Sequence, residues 1–429
     1  YDPYTGAALE STILGLISDG RPVEVARAGQ PVEIVTAATP FYVEAGGEVS
    51  DTGRIRNAFG GEMQVKDVRR PVPGLIVHLG KVAGGEFKVG QIVHLEVDRE
   101  RRADIRRNHT ATHLLHRELR AHLGNHVVQA GSLVAPDRLR FDFTHDSAID
   151  RETLGRIERA VNEAVLANQP VKIAYMGQKE AIAAGAMALF GEKYGDIVRT
   201  ITVGGNGDSS PYSYELCGGL HVNETGEIGL FRFVSESAVG ANTRRVEAVT
   251  GRGAYEFVSR RLALLDKLAG RLNTPVGEIE TRLEALLEHD RAQERQLEQA
   301  QRRLARADFE MLLGGIMEIK GARVLAAQVD GGDPDRLREM ADWFRDRVKS
   351  GAAVLGTVKD GKPLIVAAVT EDLIARGLKA GDIVREVAKV VGGGGGGRAD
   401  MAQAGGRHPE KLAEALDTVR SLVEATLTE

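Results

Sequence analysis

Residues 109–124 read HTATHLLHRELRAHLG, a helical pattern that also carries metal-ligating side chains. Leucines recur at helical spacing from position 114 to position 123. Asn108 precedes the pattern as an N-cap residue, and Gly124 follows it where a helix commonly ends. The pattern therefore predicts a helix over 109–123.

Two ligand pairs about a hundred residues apart point to a metal. His109 and His113 lie one turn apart on this helix, so their imidazoles can converge on one ion. Cys217, the single cysteine of the 429 residues, is followed four positions later by His221. Imidazole and thiolate together suit zinc, and both pairs arise by chance in about one of a hundred such chains. We therefore predict that these four residues bind Zn²⁺.

The glycines between Cys217 and His221 bear on how the second pair forms. Gly218 and Gly219 are expected to let the chain turn tightly enough for both side chains to reach one ion. One alternative is a closed zinc site that only joins the helix to the turn. Closed sites commonly use C-x-x-C knuckles, which a chain with one cysteine lacks, so a functional site is favoured.

Composition bounds the class of protein. One cysteine excludes an internal disulfide framework and indicates a reducing, cytoplasmic location. No apolar run approaches the ~18–20 residues of a membrane span. The net charge of −5 is not that of a typical nucleic-acid binder, although arginines cluster over 99–107. That cluster is either a solvated helix start or an RNA contact.

The order of patterns predicts an α+β multidomain protein with four parts. Residues 1–100 alternate like strands between Gly-Gly turns and indicate a small β-barrel. Residues 101–253 mix helices and strands and form the α+β zinc-containing domain. Residues 254–312 carry a heptad-like seam that favours a coiled-coil helical linker over a helix packed on its own protein. Residues 313–429 return to an α/β pattern.

Two local features complete the helical and C-terminal parts. Thr274-Pro275 indicates an N-cap followed by proline at the first helical position. The six glycines at 392–397 are interpreted as a flexible loop. Arg398 and Arg407 flank this run and could contact a nucleic-acid backbone.

Longer motifs resemble the editing part of alanyl-tRNA synthetases. The segments are HTATHLLH at 109–116, VVQAGSLV at 127–134, RLRFDFTH at 138–145, AMALFGEKYGD at 186–196, ELCGGLHV at 215–222, TGEIGLFRFVSES at 225–237 and RRVEAVTG at 244–251. TPFYVEAGGEVSDTG at 39–53 resembles the barrel subdomain that precedes editing in that family. GGGGGGRADMAQAGGRHPEKL at 392–412 resembles its C-Ala domain, which is related to a domain that accompanies DHH phosphoesterases.

The resemblance implies a zinc-dependent deacylase that hydrolyses serine or glycine from alanine tRNA. It places the four ligands at the metal and assigns Thr112 and Gln129 to the editing pocket. Arg244 matches an arginine linked to that site, and Arg244, Arg398 and Arg407 are expected to bind tRNA. The family usually reads CGGTH, whereas this chain has Leu220, which removes a hydroxyl beside the metal. No general base is evident.

The resemblance also implies partners. Alanine tRNA charged with serine or glycine is the expected substrate, and a homodimer through the C-terminal region is expected. An aminoacylation half, which would use ATP, is expected upstream of Tyr1. Two alternatives stay open, namely a free-standing trans-editing deacylase of the AlaX type and a non-catalytic tRNA-binding and dimerisation module with structural zinc.

Overall fold

The computed structural model describes residues 1–4, 6–188, 195–205 and 210–427. The chain forms two compact units, Tyr1–Leu268 and Ala269–Glu429. The α+β fold class is confirmed, whereas the four domain boundaries stay predictions. In the described ranges, no helix is both long and apolar enough to span a membrane.

The first unit begins with a closed β-barrel, as predicted. Its strands are β1 (Ala8–Ser18), β2 (Arg21–Val23), β3 (Val25–Arg27), β4 (Pro31–Thr36), β5 (Gly53–Asn57), β6 (Glu62–Val72), β7 (Leu75–Gly84), β8 (Glu86–Lys88) and β9 (Ile92–Val97). The sheet order is β2-β1-β4-β7-β6-β5-β9, and pairing of β1 with β9 closes it. Alternate residues of β9, Val93, Leu95 and Val97, fill the interior, as strand geometry requires.

Helix α1 spans Arg99–Leu123, so it begins ten residues before the predicted start. The Asp98 side chain caps it by accepting from the Arg101 N–H at 3.0 Å. Asn108 is therefore not an N-cap but a buried mid-helix residue, whose amide donates to Ala135 O and accepts from Thr250 Oγ1. The apolar pattern missed the first turns because their side chains are mostly arginines.

The contacts of Arg102 explain why the arginine-rich start of α1 is held in place as a helix. Its guanidinium is buried and forms an ion pair with Asp51. It also donates to the carbonyls of Pro3, Gly6 and Pro40 at 3.2, 2.9 and 2.6 Å. Arg102 is thus neither solvated nor available to RNA, and it fastens α1 to the barrel.

The rest of the first unit is built from two antiparallel sheets and their helices. The elements are β10 (Gln129–Val134), β11 (Leu139–Thr144), α2 (Arg151–Leu166), β12 (Val171–Gly177), α3 (Gln178–Ala183), β13 (Ile197–Val203), β14 (Ser213–Leu216), β15 (Phe231–Gly240), β16 (Thr243–Thr250) and α4 (Gly251–Leu272). Helix α4 continues four residues beyond Leu268, where the first unit ends. One sheet has the order β10-β11-β16-β15 and the other β12-β13-β14. Buried residues of α1 and α2, such as Leu115 and Ile157, pack on Phe141 and Phe143. This packing fixes the face of α1 that carries the histidines.

The second unit has one mixed sheet. Its elements are α5 (Ile279–Leu312), β17 (Met317–Ile319), β18 (Ala322–Gln328), α6 (Pro334–Arg347), β19 (Gly351–Lys359), β20 (Lys362–Val369), α7 (Glu371–Ala375), α8 (Ala380–Val390), β21 (Gly394–Gly397), β22 (Met401–Gly405) and α9 (Leu412–Thr426). The order is β17-β18-β19-β20-β22-β21, with β18 and β19 parallel. Apolar clusters cover both faces.

Two local predictions in this unit were wrong. Helix α5 begins at Ile279 after a short 3₁₀ turn, Val276–Glu278, rather than at Pro275. Part of the glycine run is not a flexible loop but a strand, β21, which pairs with β22. A Cβ at Gly395 or Gly397 would overlap the neighbouring strand, so their missing side chains permit the pairing. The coiled coil stays a prediction.

Candidate metal centre

Helix α1 presents two buried histidines from successive turns. The rings of His109 and His113 lie 5.3 Å apart between centroids and are nearly parallel, at 12°. A carboxylate accepts from Nδ1 of each ring, Glu48 at His109 and Glu215 at His113, the latter at 2.8 Å. Nε2 of His113 is buried and has no hydrogen-bond partner among the described atoms. Both rings therefore direct Nε2, rather than Nδ1, toward the centre.

The turn after β14 brings the second pair to the same place. Cys217 Sγ lies 3.3 Å from His109 Nε2 and 3.4 Å from His221 Nε2. The four ligand atoms of His109, His113, Cys217 and His221 all lie within 4.8 Å of one another. The structure thus brings together all four residues that the sequence selected, as a group that could hold a metal ion.

The hydroxyl of Thr110 sets the ring of His221. Thr110 Oγ1 donates to the Arg106 carbonyl at 3.0 Å, so its lone pairs are left to accept. It accepts from His221 Nδ1 and from the Val222 N–H, each at 3.2 Å. His221 therefore also carries its proton on Nδ1 and directs Nε2 to the centre.

Arg199 and Tyr4 hold the Cys-Gly-Gly turn from outside. Arg199 Nη1 donates to the carbonyls of Cys217 and Gly219 at 2.9 and 2.7 Å. The Tyr4 hydroxyl donates to the Gly218 carbonyl at 2.6 Å, and its ring stacks on the Arg199 guanidinium at 4.3 Å. The turn's shape is therefore set by contacts from two other segments.

The two glycines of the turn have different roles from the one predicted. Neither has a positive φ, so the turn does not depend on glycine's left-handed conformations. A Cβ at Gly219 would overlap the His109 ring and the Glu48 carboxylate, whereas one at Gly218 would meet nothing within 4 Å. Only Gly219 is required by close approach.

Leu220, where the chain departs from the family motif, contributes its backbone. Its N–H donates to Glu48 Oε2 at 2.9 Å, and its side chain is buried. Leu220 is not among the residues that line the adjoining cavity. The substitution of threonine by leucine therefore leaves this backbone contact in place.

The charges of the centre suit a cation. Burial alone would favour the neutral thiol, but His109 and His221 outweigh it and hold the pKa of Cys217 well below its usual range. Burial would lower the pKa of His109, yet the Cys217 and Glu48 charges raise it to about 9. Burial lowers the pKa of His221 to about 3. A thiolate flanked by imidazoles is the donor set that zinc prefers.

A cavity of about 110 Å³ opens beside the centre. Thr112 from α1 and Gln129 from β10 line it together with Tyr42, His116 and three of the four candidate ligands, which are His109, His113 and Cys217. Thr112 Oγ1 donates to the Asn108 carbonyl at 2.8 Å, so it can accept from a bound molecule. Both predicted pocket residues therefore line the same cavity as the candidate metal ligands.

None of the three predicted tRNA-binding arginines is among the residues that line this cavity. Arg244 on β16 is largely buried and forms an ion pair with Glu236. Arg398 and Arg407 belong to the second unit and are exposed, and Arg398 pairs with Asp400 at 3.2 Å. Their roles stay predictions.

Sequence reasoning missed the residues that orient the ligands. Glu215 could have been found, because it lies on β14 two positions before Cys217, which directly follows that strand, so the two side chains point the same way. Glu48 and Thr110 gave no such signal. Of the segment 186–196, residues 189–194 lie outside the described residues.

Three family models match parts of the chain. They are the tRNA synthetases class II (A) over 2–101, the threonyl and alanyl tRNA synthetase second additional domain over 198–247, and the DHHA1 domain over 321–425. Each matches a different stretch in chain order.

Curated relatives match nearly all of the chain. It is 48% identical over 412 residues to the alanine–tRNA ligase of Chloroflexus aurantiacus, covering 95% of this chain and 46% of that one. It is 45% identical over 424 residues to the enzyme of Bacillus subtilis, covering 99% and 48%. The chain thus spans about half the length of the curated relatives it matches. Among solved structures, the C-Ala domain of Aquifex aeolicus alanyl-tRNA synthetase is 31% identical with a TM-score of 0.24, covering 25% of this chain and 97% of that domain.

Proposed function

Since the chain belongs by sequence to the alanyl-tRNA synthetase family, we propose that its metal centre hydrolyses the ester joining serine or glycine to the 3′ end of alanine tRNA. The observation that carries this proposal is the convergence of three histidine Nε2 atoms and one cysteine sulfur beside a small polar cavity. Aminoacylation and its use of ATP would belong to the part of the relatives that this chain does not span.

We propose zinc as the metal, held by His109, His113, Cys217 and His221. The unpartnered Nε2 of His113 and the stabilised thiolate support a thiophilic cation rather than a hard one. Bound zinc supplies Lewis-acid polarisation of the ester or an anchor for a polar substrate group. The protein's own residues do the rest, by holding the substrate and directing water.

The dimensions of the cavity fit an aminoacyl group. Its volume, about 110 Å³, is well below the ~300–1,000 Å³ of pockets that take drug-sized ligands. The nucleotide that carries the ester would therefore lie outside it. This arrangement places only the amino acid among Thr112, Gln129 and the ligands.

Selectivity follows from polarity rather than size. A synthetic site for alanine rejects glycine and serine weakly, because one methylene or hydroxyl discriminates by only about 1–3 kcal/mol. A second site must accept those two and spare alanine, which lies between them in size. Thr112 Oγ1 and the Gln129 amide can bond a serine hydroxyl, or a water in the space that glycine leaves, whereas an alanine methyl would fill that space and leave these polar groups without partners.

The proposed reaction is an ordinary ester hydrolysis. Water attacks the carbonyl carbon, the bond from that carbon to the ribose oxygen breaks, and the ribose oxygen takes a proton as the amino acid leaves. Arg244, Arg398 and Arg407 are proposed to position the tRNA, mainly through its backbone. A homodimer through the second unit is part of the same proposal.

The test is deacylation of serine-, glycine- and alanine-charged alanine tRNA by the chain and by Cys217→Ala. We expect Cys217→Ala to lose at least about a hundredfold in rate on the serine substrate, comparable to losing one strong electrostatic group from an active site. The parent should spare the alanine ester. Full activity in the variant contradicts the proposal.

Chelation separates the enzyme from a non-catalytic module. If the centre is catalytic, removing the metal abolishes hydrolysis while tRNA affinity is retained. If the metal is only structural, the first unit unfolds and tRNA binding falls with it. Circular dichroism and tRNA titration on the same chelated sample distinguish these outcomes.

A further inference from the structure

Glu48 contacts the metal centre from the segment that connects strands β4 and β5 of the barrel. It ends a tight turn in which Ala45 and Glu48 exchange backbone hydrogen bonds at 3.0 and 3.3 Å. Gly46 and Gly47 occupy the middle of the turn with φ of 57° and 83°, the conformation that favours glycine in such hairpins. The backbone of Glu48 is therefore fixed by local geometry.

Strand β10 fixes the same segment from the other side. The Val49 N–H donates to the Val134 carbonyl at 3.0 Å, and the Val134 N–H donates to the Gly47 carbonyl at 2.7 Å. A Cβ at Gly47 would overlap Ser132 on this strand, so the turn is closely seated. The fixed backbone consequently directs the Glu48 side chain toward His109 and Leu220.

The carboxylate joins the two ligand pairs through one oxygen. Glu48 is fully buried, and its Oε2 accepts both from His109 Nδ1 and from the Leu220 N–H. Its Oε1 has no partner among the described atoms. One atom thus orients a helix-borne ligand and pins the turn that carries Cys217 and His221.

We propose that Glu48 is a positioning residue of the metal centre, so that the barrel segment 39–53 is required for the centre to bind its metal at full affinity. The proposal rests on the proposed metal site but not on the hydrolytic reaction. Partners of this kind typically account for 10–100-fold in metal affinity.

Besides the charge that raises the pKa of His109, Glu48 supplies an acceptor oxygen at the correct distance from both donors, and we assign the positioning to this oxygen. An amide oxygen has two lone pairs and can accept from both donors, so Glu48→Gln preserves the contacts. Glu48→Asp preserves the charge but is one methylene shorter and withdraws the oxygen from both donors. The two variants therefore separate geometry from charge.

The experiment measures zinc affinity of the full chain by competition with a chelating dye. We expect Glu48→Ala and Glu48→Asp to bind zinc about 10–100-fold more weakly and Glu48→Gln to stay within about threefold of the parent. Glu44→Ala, an exposed position in the same segment, is the matched control and should not differ from the parent.

Several outcomes overturn the proposal. It fails if Glu48→Ala binds zinc like the parent, or if Glu48→Asp binds more tightly than Glu48→Gln. Thermal unfolding of each zinc-free variant identifies a folding defect, and the Gln–Asp pair still decides the question if Glu48→Ala does not fold. If the parent chain does not deacylate the serine-charged tRNA but the Glu48 variants show the expected order of zinc affinities, only the proposed function is contradicted.

Discussion

The two ligand pairs are positioned in different ways. His109 and His113 are placed by the geometry of one helix, which needs only the i,i+4 spacing and the packing of its apolar face. Cys217 and His221 sit on a turn whose form depends on contacts from Tyr4, Glu48 and Arg199, among others. The helix pair is local, and the turn pair is assembled by tertiary structure.

This difference shows where the centre is vulnerable. A substitution on the exposed face of α1 leaves the spacing of its histidines unchanged. A substitution at any of several distant positions can displace the turn, because each supplies a hydrogen bond that the turn cannot make by itself. We therefore expect metal affinity to be more sensitive to the supports of the turn than to the helix.

The largest effect is expected for Gly219→Ala. Its new Cβ would overlap the His109 ring and the Glu48 carboxylate, so the turn must move away from the helix. We expect zinc affinity to fall by about a hundredfold, at or beyond the upper end of the range for supporting contacts. Competition with a chelating dye measures the change.

Gly218→Ala is the matched control for this test. Its Cβ would have nothing within 4 Å, and the Gly218 backbone does not need a positive φ. We expect its zinc affinity to stay within about threefold of the parent, well inside the 10–100-fold effect of lost supporting contacts. Equal losses in both variants would mean that the turn is intrinsically glycine-dependent.

A smaller effect is expected for Thr110→Val. The change leaves His221 Nδ1 and the Val222 N–H without their acceptor. We expect about a tenfold loss of zinc affinity and a loss of about 1–3 kcal/mol in the free energy of unfolding. Calorimetry and dye competition test both quantities.

Thr112→Val, two residues further along α1 than Thr110, should affect deacylation rather than zinc affinity. Its hydroxyl bonds only to the Asn108 carbonyl among the described residues, and it lines the cavity. We expect unchanged zinc affinity but about tenfold slower deacylation of the serine ester, equivalent to about 1.4 kcal/mol. If zinc affinity fell with activity, the separation between metal support and substrate contact would be wrong.

The smallest effect concerns arginines that face solvent rather than the turn. If Arg398 and Arg407 contact phosphates, Arg398→Gln and Arg407→Gln should each reduce the slope of log tRNA affinity against log salt by about 0.9. Arg420→Gln, an exposed arginine on α9, is the control and should leave the slope unchanged. A slope that does not respond to either substitution excludes both as phosphate contacts.

The same contrast explains what could be predicted from the sequence. The barrel, the helix pair and the Cys–His spacing follow from local periodicity, and the structure brings these ligands together. Glu48 lies 61 residues from His109 in sequence and 172 from Leu220, so no local pattern connects them. Its importance emerges only when the turn at Gly46-Gly47 is seated on β10.

Polar and glycine-rich stretches were the other source of error. The start of α1 lacks an apolar stripe because Arg102 is satisfied by Asp51 and by backbone carbonyls, not by hydrophobic packing. The glycine run becomes β21 because its neighbour strand approaches too closely for side chains at Gly395 and Gly397. In both cases tertiary contacts override the local preference.

The buried Arg102–Asp51 pair also limits how this molecule can be dissected. A protein engineer who transplants the sequence from position 101 onward, as a portable catalytic cassette, would strip Arg102 of Asp51 and of three carbonyl acceptors at once. The guanidinium would then face water, and the start of α1 would lose hydrogen bonds to a charged group that are each worth about 1.5–3 kcal/mol. The viable cassette therefore starts ahead of the barrel, and any graft or shuffled chimera that joins foreign sequence near position 100 inherits the penalty.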